Sequence, residues 1–252
     1  MKIPKIVKPF AWKVFKAIRK EKGLKIKTFP EGFKMELDMT EVIDNNLYYG
    51  IYEKEITNLF RKFVKKGMVV VDVGANIGYY TLLSSYLIKG NGQVIAFEPT
   101  TKAFNSLWNN LIINDVNYEI KQVALSNFNG KKKDNIRSSY KIKDDFPKTE
   151  SLEELKDKWK PYSEDEEFLF RTLDSYNLDK LDFIKIDVDG NEIDVLKGAI
   201  KTIKKLKPLM LIEVYKSNIS EFEKIMKELN YNIEEIKTEK NFVNFICKNE
   251  DG

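Results

Sequence analysis

Acidic residues end several of the apolar runs in this chain, where their side chains could bind a ligand. Asp72 ends the run VVVD and is followed by Gly74 and Gly78, and Glu98 ends the next run, QVIAFE. Glycine permits a tight turn and a close approach of the backbone to a ligand. In a right-handed βαβ unit the second carboxylate falls beside that turn, where it can accept both hydroxyls of a ribose.

The spacing of the glycines indicates which ligand this is. A dinucleotide site has the pattern G-x-G-x-x-G, with a pyrophosphate at the helix N-terminus. This chain has Asp-x-Gly-x-x-x-Gly instead, and Asp72 would repel a pyrophosphate but attract the ammonium and sulfonium groups of S-adenosylmethionine. The sequence therefore predicts S-adenosylmethionine as the cofactor and disfavours NAD. The alternative is a βαβ unit whose glycines serve packing alone.

A second group of charged residues lies in the run LDFIKIDVDGNE. Lys185, Asp187 and Asp189 alternate with apolar residues and would point to one face of a strand. Charges within a buried parallel strand are unfavourable unless they are paired or stand at its carboxyl end, where open α/β sheets bind ligands. We therefore expect this strand beside the glycine-turn strand, with Asp187 across the cleft from Asp72 and Glu98.

The sequence leaves alternatives open for these charged residues. Asp189 either acts in the cleft or caps the helix that follows Gly190. Lys185 either acts on a substrate or anchors Asp187 through an ion pair. Glu213, which ends the next strand, is a further cleft carboxylate. No metal ion is predicted, and Asp187, Asp189 and Glu213 are the candidate ligands should a Mg²⁺ ion bind.

The composition excludes several kinds of catalytic and metal-binding site. The 252 residues include no histidine, which excludes a Ser-His triad and a His-ligated zinc ion, so a proton acceptor must be Asp, Glu, Lys or Tyr. The single cysteine, Cys247, excludes an internal disulfide and fits a reducing compartment. The chain lacks an apolar run of about 18 residues, so we expect no transmembrane helix and a cytoplasmic protein.

The first 22 residues are strongly basic, with eight Lys or Arg against one acid, Glu21. Apolar residues recur from Ala11 to Ile18 with helical spacing. This helix either packs on the domain with its basic face in water, or attaches the protein peripherally to an anionic membrane or an acidic partner. We divide the chain into this basic helix and cap segment, 1–47, and a cofactor-binding domain, 48–252.

The remaining pattern alternates strands and helices and predicts an α/β fold. Residues 24–47 predict short strands and turns, 118–124 predict a third strand, and NEIDVLKGAIKTIKK, 191–205, predicts one helix. A charged insert over 129–169 breaks the alternation. It is expected to bury little, as a lid, a substrate-binding loop or a mobile segment does.

Several segments resemble FkbM-type methyltransferases, which have the class I S-adenosylmethionine-dependent fold. They are VVVDVGANIGYYT, AFEP, VALSNFNG, RTLDSYNLDKLDFIKIDVDGNEIDVLKGA and PLMLIEV, in that order, with NLYYGIYEKEI upstream. The resemblance spans about residues 48–230 and implies a Rossmann-like, mostly parallel seven-stranded sheet with helices on both faces and an antiparallel terminal strand. The family's usual Asp-Val-Glu-Gly-x-Glu reads Asp-Val-Asp-Gly-Asn-Glu here, so Asp189 is one methylene shorter than the family's residue.

The resemblance also implies O-methylation, commonly of sugars, glycan-linked hydroxyls or polyketides, and hence a small-molecule or glycan substrate. We assign Asp187 or Asp189 to orient the acceptor hydroxyl, with Lys185 beside them. The residues assigned to the cofactor are Asp72, Gly74, Ala75, Asn76, Gly78, Tyr79, Glu98, Pro99, Val123, Ala124 and Asp187. Among these, Glu98 would take the ribose, and the backbone of Val123 and Ala124 would flank the adenine.

Two other functions stay open. One is an RNA ribose methyltransferase, which the basic arm favours. Against it, the chain after the arm is net negative, so a nucleic-acid partner is the weaker expectation. The other is a non-catalytic cofactor-binding or scaffold protein.

Overall fold

The computed structural model describes residues 22–137 and 163–250. The basic arm and the middle of the insert lie outside these residues, so the expectations about them remain predictions. Within the described residues no helix is long and apolar enough to cross a bilayer.

The described strands are β1 (Leu24–Thr28), β2 (Lys34–Asp38), β3 (Val69–Val73), β4 (Gln93–Phe97), β5 (Glu119–Lys121), β6 (Ala124–Leu125), β7 (Gly130–Arg137), β8 (Ser163–Arg171), β9 (Phe183–Ile186), β10 (Leu209–Tyr215), β11 (Tyr231–Thr238) and β12 (Phe242–Asn249). The described helices are α1 (Val42–Tyr48), α2 (Lys54–Phe63), α3 (Tyr79–Ile88), α4 (Thr101–Ile112), α5 (Glu192–Lys197), α6 (Ile200–Leu206) and α7 (Ile219–Glu228).

Seven strands form the central sheet, in the order β11-β12-β10-β9-β3-β4-β5. The strands from β10 to β5 in this order run parallel, and β12 lies antiparallel between β10 and β11. This arrangement confirms the predicted sheet with its antiparallel terminal strand. It also confirms that β9 lies beside the glycine-turn strand β3, with Asp72 opposite Lys185 in the register.

Alternate residues of the central strands enter two hydrophobic cores, one on each face of the sheet. Val71 and Val73 of β3 pack with α5, α6 and α7. Val70 faces the other side, where α2, α3 and α4 cover the sheet together with residues of β2. Helices therefore cover both faces, as predicted. Asp72 lies on the same face as Val70, and Lys185 joins it there, so two charged residues are buried beneath α3.

The segment before the cofactor-binding unit is more regular than expected. Residues 24–47 were expected to form strands and turns, but they form β1, β2 and the start of helix α1. The helix is stabilised by tertiary contacts, since Leu47 is buried in the core and the Asp44 carboxylate accepts the backbone N–H of Asp38 at 2.8 Å. Met35 and Leu37 of β2 enter the same core as α2 and α3.

The ends of the insert form a second sheet. β7 pairs antiparallel with β8, and β8 pairs parallel with β6. Phe168 is buried there with Phe170 and Ala124, so the expectation that 129–169 buries little is wrong at the second end of the insert, whereas at the first end Ile136 is only partly buried. The strand predicted over 118–124 is split between sheets, because β5 belongs to the central sheet and β6 to this smaller one.

The single helix predicted over 191–205 is two helices, α5 and α6, which meet at Gly198 and Ala199. A Cβ atom at Gly198 would lie 1.9 Å from the backbone oxygen of Ser126. The break therefore lies where the chain passes against a segment distant in sequence, and only glycine permits that approach.

Candidate active site

A cavity of about 670 Å³ opens at the carboxyl ends of β3, β4, β9 and β10. This is the edge at which open α/β sheets bind their ligands. Its other walls come from α1 and residues 51–53, from β7 and β8, and from the ends of β11 and β12.

Carboxylates dominate the lining of the cavity. The acidic lining residues are Glu53, Glu98, Asp134, Asp187, Asp189, Glu213 and Glu239, and the basic ones are Lys185 and Lys237. Such an excess of negative charge in an enclosed site attracts a cationic ligand and disfavours an anionic one.

The glycine turn after β3 forms the centre of the cavity, where Gly74, Ala75 and Asn76 line it. Gly74 has a φ of +78°, and a Cβ atom there would lie 1.9 Å from the backbone oxygen of Asp187. Gly74 is therefore required by its packing against the end of β9, which holds Asp187 beside the turn. Gly78 lies outside the lining, and a Cβ atom there would lie 2.6 Å from Leu107 Cδ1. Packing against backbone thus explains Gly74, and the φ of +93° explains Gly78, because the left-handed conformation favours glycine.

Glu98 is held in one orientation by its neighbours. One carboxylate oxygen accepts the backbone N–H and the hydroxyl of Thr100 at 2.9 and 2.6 Å, and the other accepts the backbone N–H of Asn76 at 3.0 Å. Burial raises the pKa of Glu98, and these hydrogen bonds act against that rise. The carboxylate lines the cavity and links the two strand ends of the βαβ unit, which suits a ligand with adjacent hydroxyls. Tyr79, Pro99, Val123 and Ala124 also line the cavity.

Asp72 does not line the cavity, although the sequence suggested that it would meet the cofactor. Its side chain is fully buried beneath α3, where Oδ2 accepts the Thr81 hydroxyl at 2.7 Å. Burial raises the pKa of Asp72, and the charge of Lys185 opposes that rise. Side chains alternate along β3, so Asp72 points to the same face as Val70, which helix α3 covers. Asp72 can therefore act on the cavity through Lys185.

The buried Lys185 forms an ion pair with the partly exposed Asp187 at the end of β9. The ammonium lies 2.8 Å from Asp187 Oδ2 and 5.0 Å from the centre of the Tyr80 ring. Burial alone would lower the pKa of Lys185, but the charges of Asp187, Asp72 and Glu53 raise it above the ordinary lysine value. Lys185 is therefore a permanent cation. Of the two roles that the sequence left open, the geometry supports the anchoring of Asp187.

Asp189 does not continue the alternation of the strand. β9 ends at Ile186, and Asp189 has a φ of +47°, in the left-handed region. It is not the cap of the following helix, because Asn191 occupies the N-cap position of α5. The Tyr215 hydroxyl donates to Asp189 Oδ1 at 3.2 Å. Asp189 thus lies on the wall of the cavity, beside the end of β10.

The three candidate metal ligands do not form a metal site. In the part of the chain that the structure describes, no three acidic or cysteine side chains come together to hold an ion, and this includes Asp187, Asp189 and Glu213. Glu213 instead lies opposite Asn244 of β12 and is 9% exposed, with its side chain lining the cavity.

The sequence interpretation missed the wall that residues 51–53 contribute. Tyr52 packs edge-on against Tyr79, with ring centroids 5.8 Å apart, and Glu53 accepts the Tyr80 hydroxyl at 2.8 Å. Burial raises the pKa of Tyr52 well above the ordinary value, and the charge of Glu53 adds to this. The segment NLYYGIYEKEI could have indicated this wall, because its aromatic and acidic residues follow neither a helical nor a strand period.

These features fit S-adenosylmethionine, which carries two cationic groups and a ribose. The acidic lining suits its charge, and the fixed carboxylate of Glu98 suits its vicinal hydroxyls.

Comparisons with known proteins agree with this interpretation. The family model of the Methyltransferase FkbM domain matches residues 72–235. A search of curated proteins found no match. A proposed rRNA-methylase from Clostridium thermocellum is 12% identical, with a TM-score of 0.51 over 77% of this chain and 93% of its own. Fibrillarin from Aeropyrum pernix, with natively bound S-adenosyl-L-methionine, is 12% identical, with a TM-score of 0.51 over 90% of this chain and 82% of its own.

The solved structures also include Methyltransferase FkbM from Methylobacillus flagellatus KT. It is 14% identical, with a TM-score of 0.48 over 94% of this chain and 59% of its own. At these identities, the likeness of the first two structures to this chain is one of fold.

Proposed function

Because the chain belongs to the FkbM family of S-adenosylmethionine-dependent methyltransferases, we propose that it methylates a hydroxyl of a sugar, a glycan or another small metabolite. The observation that carries the proposal is the carboxylate of Asp187. It is fixed by Lys185 beside the glycine turn, in an enclosed acidic cavity.

The residues that would hold the cofactor lie along one side of this cavity. The orientation of Glu98 supports a role in binding the ribose hydroxyls. The backbone of Gly74, Ala75 and Asn76 would border the methionine part, and Val123 with Ala124 would border the adenine. When bound, the cofactor supplies an electrophilic methyl group on a sulfonium sulfur.

Asp187 is the residue that we assign to the acceptor. Its carboxylate is 26% exposed and can accept the hydrogen of an acceptor hydroxyl, which would turn an oxygen lone pair toward the methyl group. A hydroxyl has a pKa far above that of a carboxylate, so proton transfer to Asp187 would come late in the reaction. Lys185 stays charged and serves to position Asp187. Asp189 is the second candidate for the same task, held by Tyr215 on the neighbouring wall.

The charge of the cavity supports a small acceptor over RNA. A protein that binds RNA neutralises phosphates with lysine and arginine side chains. Here the lining holds seven acidic residues and two lysines, and both lysines form ion pairs with acidic lining residues, Asp187 and Glu239.

The test is a transfer assay with S-adenosylmethionine that carries a labelled methyl group. The acceptors would be neutral sugars, purified glycans, a metabolite extract and total RNA, with products identified by mass spectrometry. We expect label in the sugar, glycan or metabolite fractions. Asp187→Asn should lower the rate about 100-fold or more. Its affinity for the cofactor, measured by calorimetry, should fall much less than the rate, by about tenfold or less.

The matched control is Asp179→Asn, which makes the same change at an exposed site outside the cavity. Label that appears in RNA alone would favour the RNA ribose methyltransferase instead. Full activity of Asp187→Asn would move the assignment to Asp189.

A further inference from the structure

Two neighbouring turns contribute residues to the cavity beside the strand end that carries Asp187. One follows β9 and includes Asp189, and the other begins at Tyr215, the last residue of β10. We infer that Glu192, the first residue of α5, is a positioning residue that holds these two turns together and thereby fixes Asp189 at the cavity. The inference rests on the proposed function, in which Asp187 and Asp189 are the residues assigned to the acceptor.

Glu192 is fully buried, although it lies at the start of a helix. Its Oε1 atom accepts the backbone N–H of Tyr215 at 2.8 Å and the side-chain amide of Asn218 at 2.9 Å. An acidic residue in the first turn of a helix can favour the helix while it stays in water. Burial of a carboxylate is unfavourable unless hydrogen bonds compensate it, and both of these bonds go to the turn after β10. The side chain of Glu192 therefore joins α5 to that turn.

The turn after β10 is in turn bonded to the residues around Asp189. The side-chain amide of Asn218 also donates to the backbone oxygen of Gly190 at 3.2 Å, and the Tyr215 hydroxyl donates to Asp189 Oδ1 at 3.2 Å. Together with the two bonds at Glu192, these contacts form one connected set, which we call the Glu192 network. It connects both Asp189 and Gly190 to the end of β10.

The backbone at Asp189 gives this network a purpose. Asp189 has a φ of +47° and Gly190 a φ of +99°, so two consecutive residues are left-handed. For a residue other than glycine this conformation is unfavourable, and it persists where the surrounding structure holds it. Contacts with Gly74 and Lys185 fix Asp187 at the start of the turn. The Glu192 network fixes the remainder of the turn and so sets where Asp189 lies relative to Asp187.

The first measurement needs no ligand, and it is the rate of amide hydrogen exchange in the full chain, followed by NMR. Glu192→Ala should speed exchange at Tyr215 at least about tenfold, because this amide loses its bond to the carboxylate, and should leave Leu211 of the same strand within about twofold. Glu192→Gln keeps an oxygen that can accept both bonds, so exchange at Tyr215 should stay within about threefold of the wild-type rate.

The second measurement is methyl transfer to the acceptor that is labelled fastest in the assay above. Active sites are counted by titration with S-adenosylhomocysteine, so that a loss of folded protein is not read as a loss of kcat. Glu192→Ala should lower kcat about 100-fold, the effect expected when a positioned group moves by about 1 Å. The KM for S-adenosylmethionine should stay within about threefold, because Glu98 and the glycine turn lie at other strand ends. Glu192→Gln should keep kcat within about tenfold of the wild type.

Two further variants complete the design. Glu228→Ala removes an exposed glutamate of α7 outside the cavity and should match the wild type in both measurements. Asn218→Ala removes the bonds to Glu192 and Gly190 from a partly exposed residue, so it tests the network even if Glu192→Ala does not fold. It should lower kcat about tenfold and leave the KM for S-adenosylmethionine within about threefold.

Unchanged exchange at Tyr215 in Glu192→Ala would overturn the inference. A kcat within about threefold of the wild type in both Glu192→Ala and Asn218→Ala would also overturn it. The same holds if Glu192→Gln is as impaired as Glu192→Ala, because the hydrogen bonds would then not explain the effect. A wild type that methylates none of the acceptors would instead refute the proposed function, and the exchange rates would still decide whether the Glu192 network holds the turn.

Discussion

Replacing Lys185 by methionine should destabilise the fold strongly at neutral pH. Lys185 is 5% exposed, with its ammonium 2.8 Å from Asp187 Oδ2 and 5.0 Å from the Tyr80 ring centre. Asp72, which is fully buried, lies opposite it in the register. Methionine fills a similar volume, so the change removes the charge with little change in packing.

The expected loss of stability follows from the carboxylates of Asp72 and Asp187, which lose their positive partner. Removing one partner of a buried ion pair costs about 3–5 kcal/mol, and the lost contact with the Tyr80 ring adds about 1 kcal/mol or less. Burial already raises the pKa of Asp72 in the folded state. A carboxyl group with a raised folded pKa favours folding at low pH, and this contribution is lost as the pH rises through the folded pKa. The penalty of the variant should therefore shrink as the pH falls.

The measurement is urea unfolding followed by circular dichroism at pH 7 and pH 5. The variants are Lys185→Met, the double variant Lys185→Met/Asp72→Asn, and the control Lys204→Met, which removes an exposed lysine. We expect a loss of about 3–5 kcal/mol for the single variant at pH 7 and a recovery of at least about 1 kcal/mol in the double variant. The control should stay within about 0.5 kcal/mol of the wild type. A single variant within about 1 kcal/mol of the wild type at both pH values would refute the reasoning.

Three further predictions concern other residues. Gly74→Ala should lower the stability by about 3 kcal/mol or more and abolish cofactor binding, because the added Cβ would collide with the backbone of Asp187. The control is Gly90→Ala, since Gly90 has a φ of +73° and open space around it, and this change should cost only about 1–2 kcal/mol. Thermal unfolding measures both variants. Asp44→Asn should stabilise the protein by roughly 3–4 kcal/mol at pH 8.5 and by only about 1–2 kcal/mol at pH 5, because burial raises the pKa of Asp44 to about 7 and the wild type loses stability as the pH rises from about 4 through that value. Urea unfolding at both pH values measures this, and a variant that is less stable than the wild type at pH 8.5 would contradict it. Cys247 should react with iodoacetamide at least about 100-fold more slowly in the native protein than in denaturant, because it is fully buried and burial raises the pKa of its thiol. Mass spectrometry over time follows the reaction, and equal rates in the two conditions would show that the end of β12 opens.

The sequence was informative wherever a local pattern decides the structure. The apolar runs, the glycine turn and the strand-ending carboxylates predicted the βαβ unit, and Glu98 does line the cavity beside the turn. The charges in KIDVD predicted a strand end at a ligand-binding edge, because they could not lie inside a buried strand. That reasoning correctly placed β9 next to β3.

Features that depend on distant contacts could not be predicted in this way. The sequence around Gly198 does not indicate that the backbone of Ser126 packs against it, at the point where α5 ends and α6 begins. The position of Asp72, two residues before Gly74, suggested that it binds the cofactor. The same position turns its side chain toward α3 and away from the cavity, and this could be known only once the face that α3 covers was known. Tyr52 and Glu53 reach the cavity because α2 packs on the sheet, and their own segment has no period that points there.

The walls of the cavity have two different origins along the chain. The glycine turn, Glu98 and Asp187 lie inside the stretch 72–235 that defines the family. Residues 42–53 and 237–244, which form the opposite walls, lie outside it. The residues proposed for the donor and Asp187, proposed for the acceptor, thus share one stretch of the chain, whereas part of the remaining wall comes from the segments on either side of it. Grafting residues 42–53 from one family member onto another would therefore change this wall and leave the glycine turn, Glu98 and Asp187 in place.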